Sequence, residues 1–101
     1  MGELLRLQQE SGMGTGFQKT VAVMAYELGD ISKAAIYGRL DEQADSAYRA
    51  EARLALSDLL TQCAVLAELL NTDIKELRQL GLERFIERAG EVRTGVICRT
   101  N

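Results

Sequence analysis

The sequence of 101 residues contains no proline and no histidine, and only five of its side chains are aromatic. Proline is the strongest helix breaker, and 47% of the residues are hydrophobic, with alanine, leucine, glutamate and arginine prominent. We therefore predict an all-α protein. The absence of histidine also means that a general base, if the protein has one, must be a carboxylate or a metal-bound hydroxide.

Features of several protein classes are missing as well. No apolar run approaches the roughly twenty residues that span a bilayer, and no signal-peptide pattern is present. The net charge is −3 without a basic block, which disfavours nucleic acid as a partner. The two cysteines, Cys63 and Cys98, lack the spacing of metal ligands. We expect free thiols in a cytoplasmic protein with neither membrane nor nucleic acid as a partner.

The chain is short enough that its own core is limited, so we expect self-association into a homodimer or homotetramer. Hydrophobic periodicity and glycine positions predict four helices, at about residues 3–10, 17–37, 41–70 and 73–91. We expect a short helix and glycine-rich hinge over 1–16, an all-α domain over 17–93 and a tail over 94–101. Asp73 and Glu76 have the spacing of a capping box at the start of the fourth helix.

Two of these helices carry an apolar stripe at alternating intervals of four and three residues, which is typical of a core face in a bundle. Further leucines widen the stripe of the third helix, which predicts that this helix is central or is covered by another subunit. On the second helix the stripe is Phe17, Val21, Met24, Leu28, Ile31 and Ala35. On the third helix it is Ala52, Leu56, Leu59, Cys63, Leu66 and Leu70.

Three acidic residues occupy unusual positions relative to these stripes. Glu27 and Asp30 share one helical face and lie at the edge of the second helix's stripe. Asp58 interrupts an aliphatic stretch where a buried residue is expected. Acids at a core margin repel one another and resist desolvation, so we expect a cation between them. Carboxylate oxygens suit Mg²⁺ or Mn²⁺.

The segment 26–31, followed by 57–60 on the long helix, resembles the MazG-type nucleoside triphosphate pyrophosphohydrolases. In that all-α family, E-E-x-x-E on one helix and E-x-x-D on the next bind Mg²⁺ over a triphosphate. The resemblance covers about residues 17 to 90. It implies a four-helix bundle-like fold with one long central helix, in an oligomer, and hydrolysis of a nucleoside triphosphate to monophosphate and pyrophosphate.

Matched to the family pattern, Glu27, Asp30 and Asp58 stand at acidic positions, so the resemblance implies them as catalytic metal ligands. Tyr26 and Ala55 stand where the family has glutamates. The chain therefore departs from the family pattern at two positions.

Other residues near these positions are candidates for supporting roles. Glu51, one turn before Ala55, is either a replacement metal ligand or an exposed surface glutamate. Lys33 is a candidate contact for the phosphates of the substrate, and Tyr26 for its base. Mg²⁺ is the expected cofactor, with Mn²⁺ as an alternative.

Two further functions stay open at this point. One is a non-catalytic helical module that binds nucleotide, metal or a protein partner, which the two missing glutamates favour. The other is a structural helical oligomer whose acids pair with arginines. Metal binding would distinguish the structural oligomer from both the enzyme and the binding module. Turnover of substrate would then distinguish the enzyme from the binding module.

Overall fold

A computed structural model describes residues 2–12, 16–43 and 46–94. Within these ranges the regular structure is entirely helical, which confirms the predicted fold class. The four helices are α1 (Glu3–Glu10), α2 (Phe17–Tyr37), α3 (Ser46–Leu69) and α4 (Ile74–Thr94). The bounds of α1 and α2 agree with the prediction. Residues 13–15 of the predicted hinge and residues 95–101 of the predicted tail, including Cys98, lie outside the described residues.

The start of α3 differs from the prediction. Residues 39–42 form turns instead of the first helical turn expected from Asp41. Arg39 has a φ of 48°, and this left-handed conformation interrupts the helical path directly after Gly38. A hydrogen-bonded ion pair between Arg39 and Glu42, at 2.7 Å, lies within the same turn. The long helix α3 spans Ser46–Leu69.

Helices α2 and α3 form an antiparallel hairpin, which is the main packing contact of the chain. We call its buried interface the seam. On both helices the seam positions recur at steps of four and three, the heptad spacing of coiled-coil packing. Gly38 allows close approach here, because a Cβ atom at this position would overlap the side chain of Tyr48. The seam comprises Thr20, Met24, Glu27, Ile31 and Ala34 of α2 with Gly38 directly after it, and Tyr48, Ala52, Ala55, Leu59, Gln62 and Leu66 of α3.

The seam corrects the predicted core stripe of α2. Only Met24 and Ile31 of that stripe face α3, and Glu27 lies within the seam instead of at its edge. The predicted α3 stripe is likewise only partly buried, since Leu56 and Leu70 are exposed. The physical reason is that the small residues of the seam, above all Gly38 against Tyr48, let the helices approach on a face rotated away from several of the larger apolar side chains. The α2 stripe residues left exposed are Phe17, Val21, Leu28 and Ala35.

Helix α1 packs against the C-terminal half of α3. The Glu68 carboxylate accepts hydrogen bonds from the backbone N–H groups of Leu5, at 2.9 Å, and Leu4, at 3.4 Å. These are free donors of the first helical turn, so Glu68 caps α1 from another helix. Gly2 lies beside this contact, and a Cβ atom there would displace the same carboxylate.

Helix α4 leaves α3 at an angle of about 100°. The Asp73 carboxylate accepts a hydrogen bond of 2.8 Å from the Glu76 N–H, which confirms the predicted helix start. α4 packs only near the end of α3, and most of its side chains are exposed. No single helix in the described ranges is long and apolar enough to cross a membrane. The bent α3–α4 pair meets that criterion together, by length and composition alone, which is weak evidence for a span.

The hydrophobic core formed by the described residues is small. Its buried apolar members are Leu5, Ala34, Ala55, Val65 and Ala67. Three of these five side chains are single methyl groups, so little apolar surface is removed from water within one chain.

Candidate functional site

An open cleft of about 320 Å³ lies along one side of the α2–α3 seam. We call it the acid cleft. Four carboxylates and one ammonium group line it, contributed by both helices of the hairpin. The lining residues are Glu27, Asp30 and Lys33 of α2, and Glu51, Leu54, Ala55 and Asp58 of α3.

Helical periodicity places these side chains together. On α2, Glu27 and Asp30 lie three residues apart, and Lys33 follows at the same interval. On α3, Glu51 and Asp58 are seven residues apart and therefore lie on one face, two turns from each other. Both faces border the seam on the same side, so the two helices present their acids to a common space.

Ala55 lies between the two acids of α3 and is only 5% exposed. It adds a single methyl group to the lining, where the resembling family has a glutamate. Leu54, beside it, is the one apolar side chain of appreciable size in the lining. Sequence reasoning did not assign Leu54 to the site, although its position between Glu51 and Asp58 on α3 is the signal that places it there.

The carboxylates of the cleft act on one another. The pKa of Glu27 is raised above its ordinary value of 4.5 by removal from water, and further by the negative charges of Asp58 and then Asp30. In the ranges that the structure describes, none of the four cleft carboxylates forms a salt bridge or hydrogen bond with another residue. The cleft therefore presents negative charge that the chain itself leaves largely uncompensated.

All four acidic side chains of the cleft are carboxylates, and carboxylate oxygens are ligands that hard divalent cations prefer. The described residues nevertheless contain no group of three or more acidic, histidine or cysteine side chains close enough to hold a metal ion together. Mg²⁺ does not require such a cage, because it commonly keeps several waters and takes one or two protein carboxylates plus substrate phosphates. The raised pKa of Glu27, caused in part by two neighbouring anions, is the feature of the cleft that a bound cation would relieve.

The structure brings five of the six predicted site residues to the acid cleft: Glu27, Asp30, Asp58, Glu51 and Lys33. Tyr26 is 69% exposed and is absent from the lining, so its assignment to the substrate base stays a prediction. Asp58 was expected among buried aliphatic residues, but it lies on an exposed face of α3. Its predicted place near Glu27 agrees with the lining of the cleft.

Two further observations concern the surroundings of the cleft. Gly29 lies next to Asp30, and a Cβ atom there would meet nothing within 4 Å from the rest of the described chain, so no described helix approaches closely at this point. No arginine of α4 lines the cleft within one chain. Lys33 is accordingly the cation of the cleft lining.

Comparison with known proteins adds no family assignment. No protein-family model matches the chain. No curated protein and no solved structure matches it either.

Proposed function

We propose that the protein is a Mg²⁺-dependent nucleoside triphosphate pyrophosphohydrolase, which converts a nucleoside triphosphate to monophosphate and pyrophosphate. The observation that carries this proposal is the acid cleft, where four carboxylates and a lysine from two helices line one open space. The MazG-type resemblance supplies the reaction class. The cleft supports it because the residues matched to that family's acids line the same space.

In this proposal Glu27, Asp30 and Asp58 would bind Mg²⁺, in part through water because no three of them are close enough to hold the ion together, with Mn²⁺ as an alternative ion. Glu51 would hold a second ion or a bridging water. Such an ion, when bound, neutralises phosphate charge and favours attack by water on the phosphoanhydride. Glu51 lies two turns from Asp58 on α3, about 10 Å along the axis, so it serves a different side of the cleft.

The protein has no histidine, so the proton of the attacking water passes to a carboxylate of the acid cleft. The water adds to the α-phosphorus. The bond from the α-phosphorus to the bridging oxygen breaks, and the electron pair leaves with pyrophosphate.

Lys33 follows Asp30 by one helical turn and brings positive charge to the lining. A lysine ammonium binds phosphate oxygens as a point charge, so Lys33 is placed to contact the outer phosphates of the substrate. Tyr26 precedes Glu27 on α2 with its ring exposed, and we assign it to stacking with the base.

The test is an assay of pyrophosphate release from canonical and modified nucleoside triphosphates with Mg²⁺ or Mn²⁺. Asp58→Asn removes one charge of the cleft at nearly constant shape, and Asp41→Asn makes the same chemical change in an exposed turn outside the cleft. We expect release by the wild type and by Asp41→Asn, with at least a hundredfold loss in Asp58→Asn. Equal rates in the two variants would contradict the assignment of the cleft.

A second function is favoured by a specific observation. The chain has Tyr26 and Ala55 at positions where the family that it resembles has glutamates. Its described residues also contain no group of three side chains that could hold a metal ion together. A non-catalytic module that binds nucleotide, metal or a protein partner keeps the cleft without turnover. Mg²⁺ or nucleotide that raises the melting temperature of the wild type but not of Asp58→Asn, with no pyrophosphate released, would identify this alternative.

A further inference from the structure

Helix α4 stands apart from the rest of the fold. Among the described elements it packs only against α3, and it leaves that helix at an angle of about 100°. Its large apolar side chains are therefore open to water: Phe85 is 71% exposed, Ile86 is 61% exposed and Leu82 is 53% exposed. Most of a helix about 30 Å long thus remains accessible to a partner.

The charged residues of α4 are sorted by side. At 100° per residue, its four glutamates fall within about 80° of the helix circumference, and four of its five cations lie on the other side. The fifth cation, Arg84, lies beside the glutamates. We call the side without glutamates the cationic side. Its cations are Lys75, Arg78, Arg88 and Arg93, and the glutamates of the other side are Glu76, Glu83, Glu87 and Glu91.

Apolar side chains lie among the cations on the cationic side. From Leu82 onwards they follow the i, i+3, i+4, i+7 spacing of one helical face. They are Leu82, Phe85, Ile86, Ala89 and Val92. A shallow depression on this side is lined by both kinds of residue: Phe85, Arg88, Ala89, Val92 and Arg93. Nearer the start of α4 a depression also reaches Glu76 and Glu83, so the cationic side is best defined from Leu82 to Arg93.

Apolar residues flanked by cations, with the acids turned away, are complementary to a flat anionic surface with an apolar interior. The apolar side chains can enter such a surface while the long arginine side chains reach its charged groups. A nucleic-acid backbone would pair with the arginines but would leave Phe85 and Ile86 exposed. A protein groove with an acidic rim would close around the helix and approach the glutamates, which repel it. A lipid bilayer contacts one side of the helix only.

We infer that α4 binds the surface of a bilayer that contains anionic phospholipids, with its cationic side towards the headgroups and its glutamates in water. The helix lies in the plane of the interface, which does not require the apolar length of a spanning helix. The expectation of no membrane partner rested on the absence of that length and of a signal peptide, so it does not address binding of this kind. Because the whole chain carries a charge of −3, attraction to the surface is confined to the cationic side.

The test is co-sedimentation of the purified chain with vesicles, and it does not depend on the proposed reaction. Vesicles of phosphatidylcholine with about one third phosphatidylserine are compared with vesicles of phosphatidylcholine alone, at low and high salt. We expect about tenfold stronger partition onto the anionic vesicles, and loss of most of this difference at high salt, because exposed charges are screened. No binding to the anionic vesicles, or equal binding to both kinds, would overturn the inference and favour a protein partner for this side.

Matched variants identify the side that binds. Phe85→Glu and Leu80→Glu add the same charge at exposed positions of α4, but Leu80, which is 52% exposed, lies among the glutamates. We expect Phe85→Glu to reduce partition onto the anionic vesicles about tenfold and Leu80→Glu to reduce it far less. Arg93→Gln and Arg84→Gln are a second pair, because nine residues place these side chains on opposite sides of the helix. Arg93→Gln should weaken binding about fivefold and Arg84→Gln much less. Equal losses within either pair would overturn the inference.

Discussion

Placing a carboxylate at position 55 tests whether the acid cleft is a metal site. Ala55→Glu puts a third acid on α3 at the position where the resembling family has one, with Ala55→Gln as the control of equal size. Ala55 is 5% exposed in the seam, so either larger side chain has to be accommodated between the helices. Overpacking of this kind costs about 1–3 kcal/mol, and the cost is shared by both variants.

The two variants differ only in the negative charge of the glutamate, so the charge determines which of them is more stable. The carboxylate introduced by Ala55→Glu lies three residues before Asp58, and like charges at this spacing destabilise a helix by about 0.2–0.5 kcal/mol. Without metal, the glutamine variant should therefore be the more stable by a few tenths of a kcal/mol. With Mg²⁺ at a hundred times its dissociation constant, binding adds about 2.7 kcal/mol to the free energy of unfolding. The order of stability then reverses.

Thermal unfolding followed by circular dichroism measures both effects. For a domain of this size, 2.7 kcal/mol corresponds to an increase of about 10–20 °C in melting temperature. We expect an increase of that size for Ala55→Glu, and for Ala55→Gln only the smaller response of the wild type. Equal Mg²⁺ responses in the two variants would show that position 55 does not face a metal site, and would refute the reasoning from the cleft.

Two further predictions concern single carboxylates. The raised pKa of Glu27 means that the folded chain binds this proton more tightly than the unfolded chain, so its stabilising contribution is complete below pH 4.5 and is lost as the pH rises through the raised value. The urea midpoint of the metal-free wild type should therefore fall over that interval more steeply than that of Glu27→Gln, and parallel curves would contradict the assignment. Glu68→Ala removes the acceptor for the Leu4 and Leu5 amides and should cost about 1 kcal/mol. Hydrogen exchange of those two amides should accelerate in Glu68→Ala. It should hardly change in Glu10→Ala, which removes only an exposed ion pair. Equal acceleration in the two variants would argue against the cap.

Helix positions were well predicted because local signals set them. The bounds of α2 follow from its periodicity and from Gly38, and Asp73 marks the start of α4 as its carboxylate cap predicted. The start of α3 was missed because turns over residues 39–42, with the Arg39–Glu42 ion pair among them, take the place of its expected first turn. The buried face of α2 was misplaced for a different reason. Hydrophobic periodicity shows that a face is apolar, but it cannot show whether the same chain or another one covers it.

The sequence predicted which residues line the candidate site better than it predicted how those residues are packed. Spacing along α2 and α3 was enough to group Glu27 with Asp30, and the resemblance added Asp58. The association of Glu51 with them was an open alternative, and its place in the cleft depends on how α2 and α3 align along the seam. That alignment is a tertiary property, set by contacts such as Gly38 against Tyr48 that the spacing of the acids does not reveal.

The position of Glu27 in the seam has a consequence for how the hairpin assembles. Heptad repeats are nearly interchangeable, so two helices with small seam residues can slide by seven residues and still pack. Glu27 is the one charged residue of the seam, and it lies where the seam opens to the acid cleft. A slip of one heptad towards Gln62 would move its carboxylate away from the open space of the acid cleft. The charge of Glu27 therefore acts together with contacts such as Gly38 against Tyr48 in favouring the native register of α2 on α3.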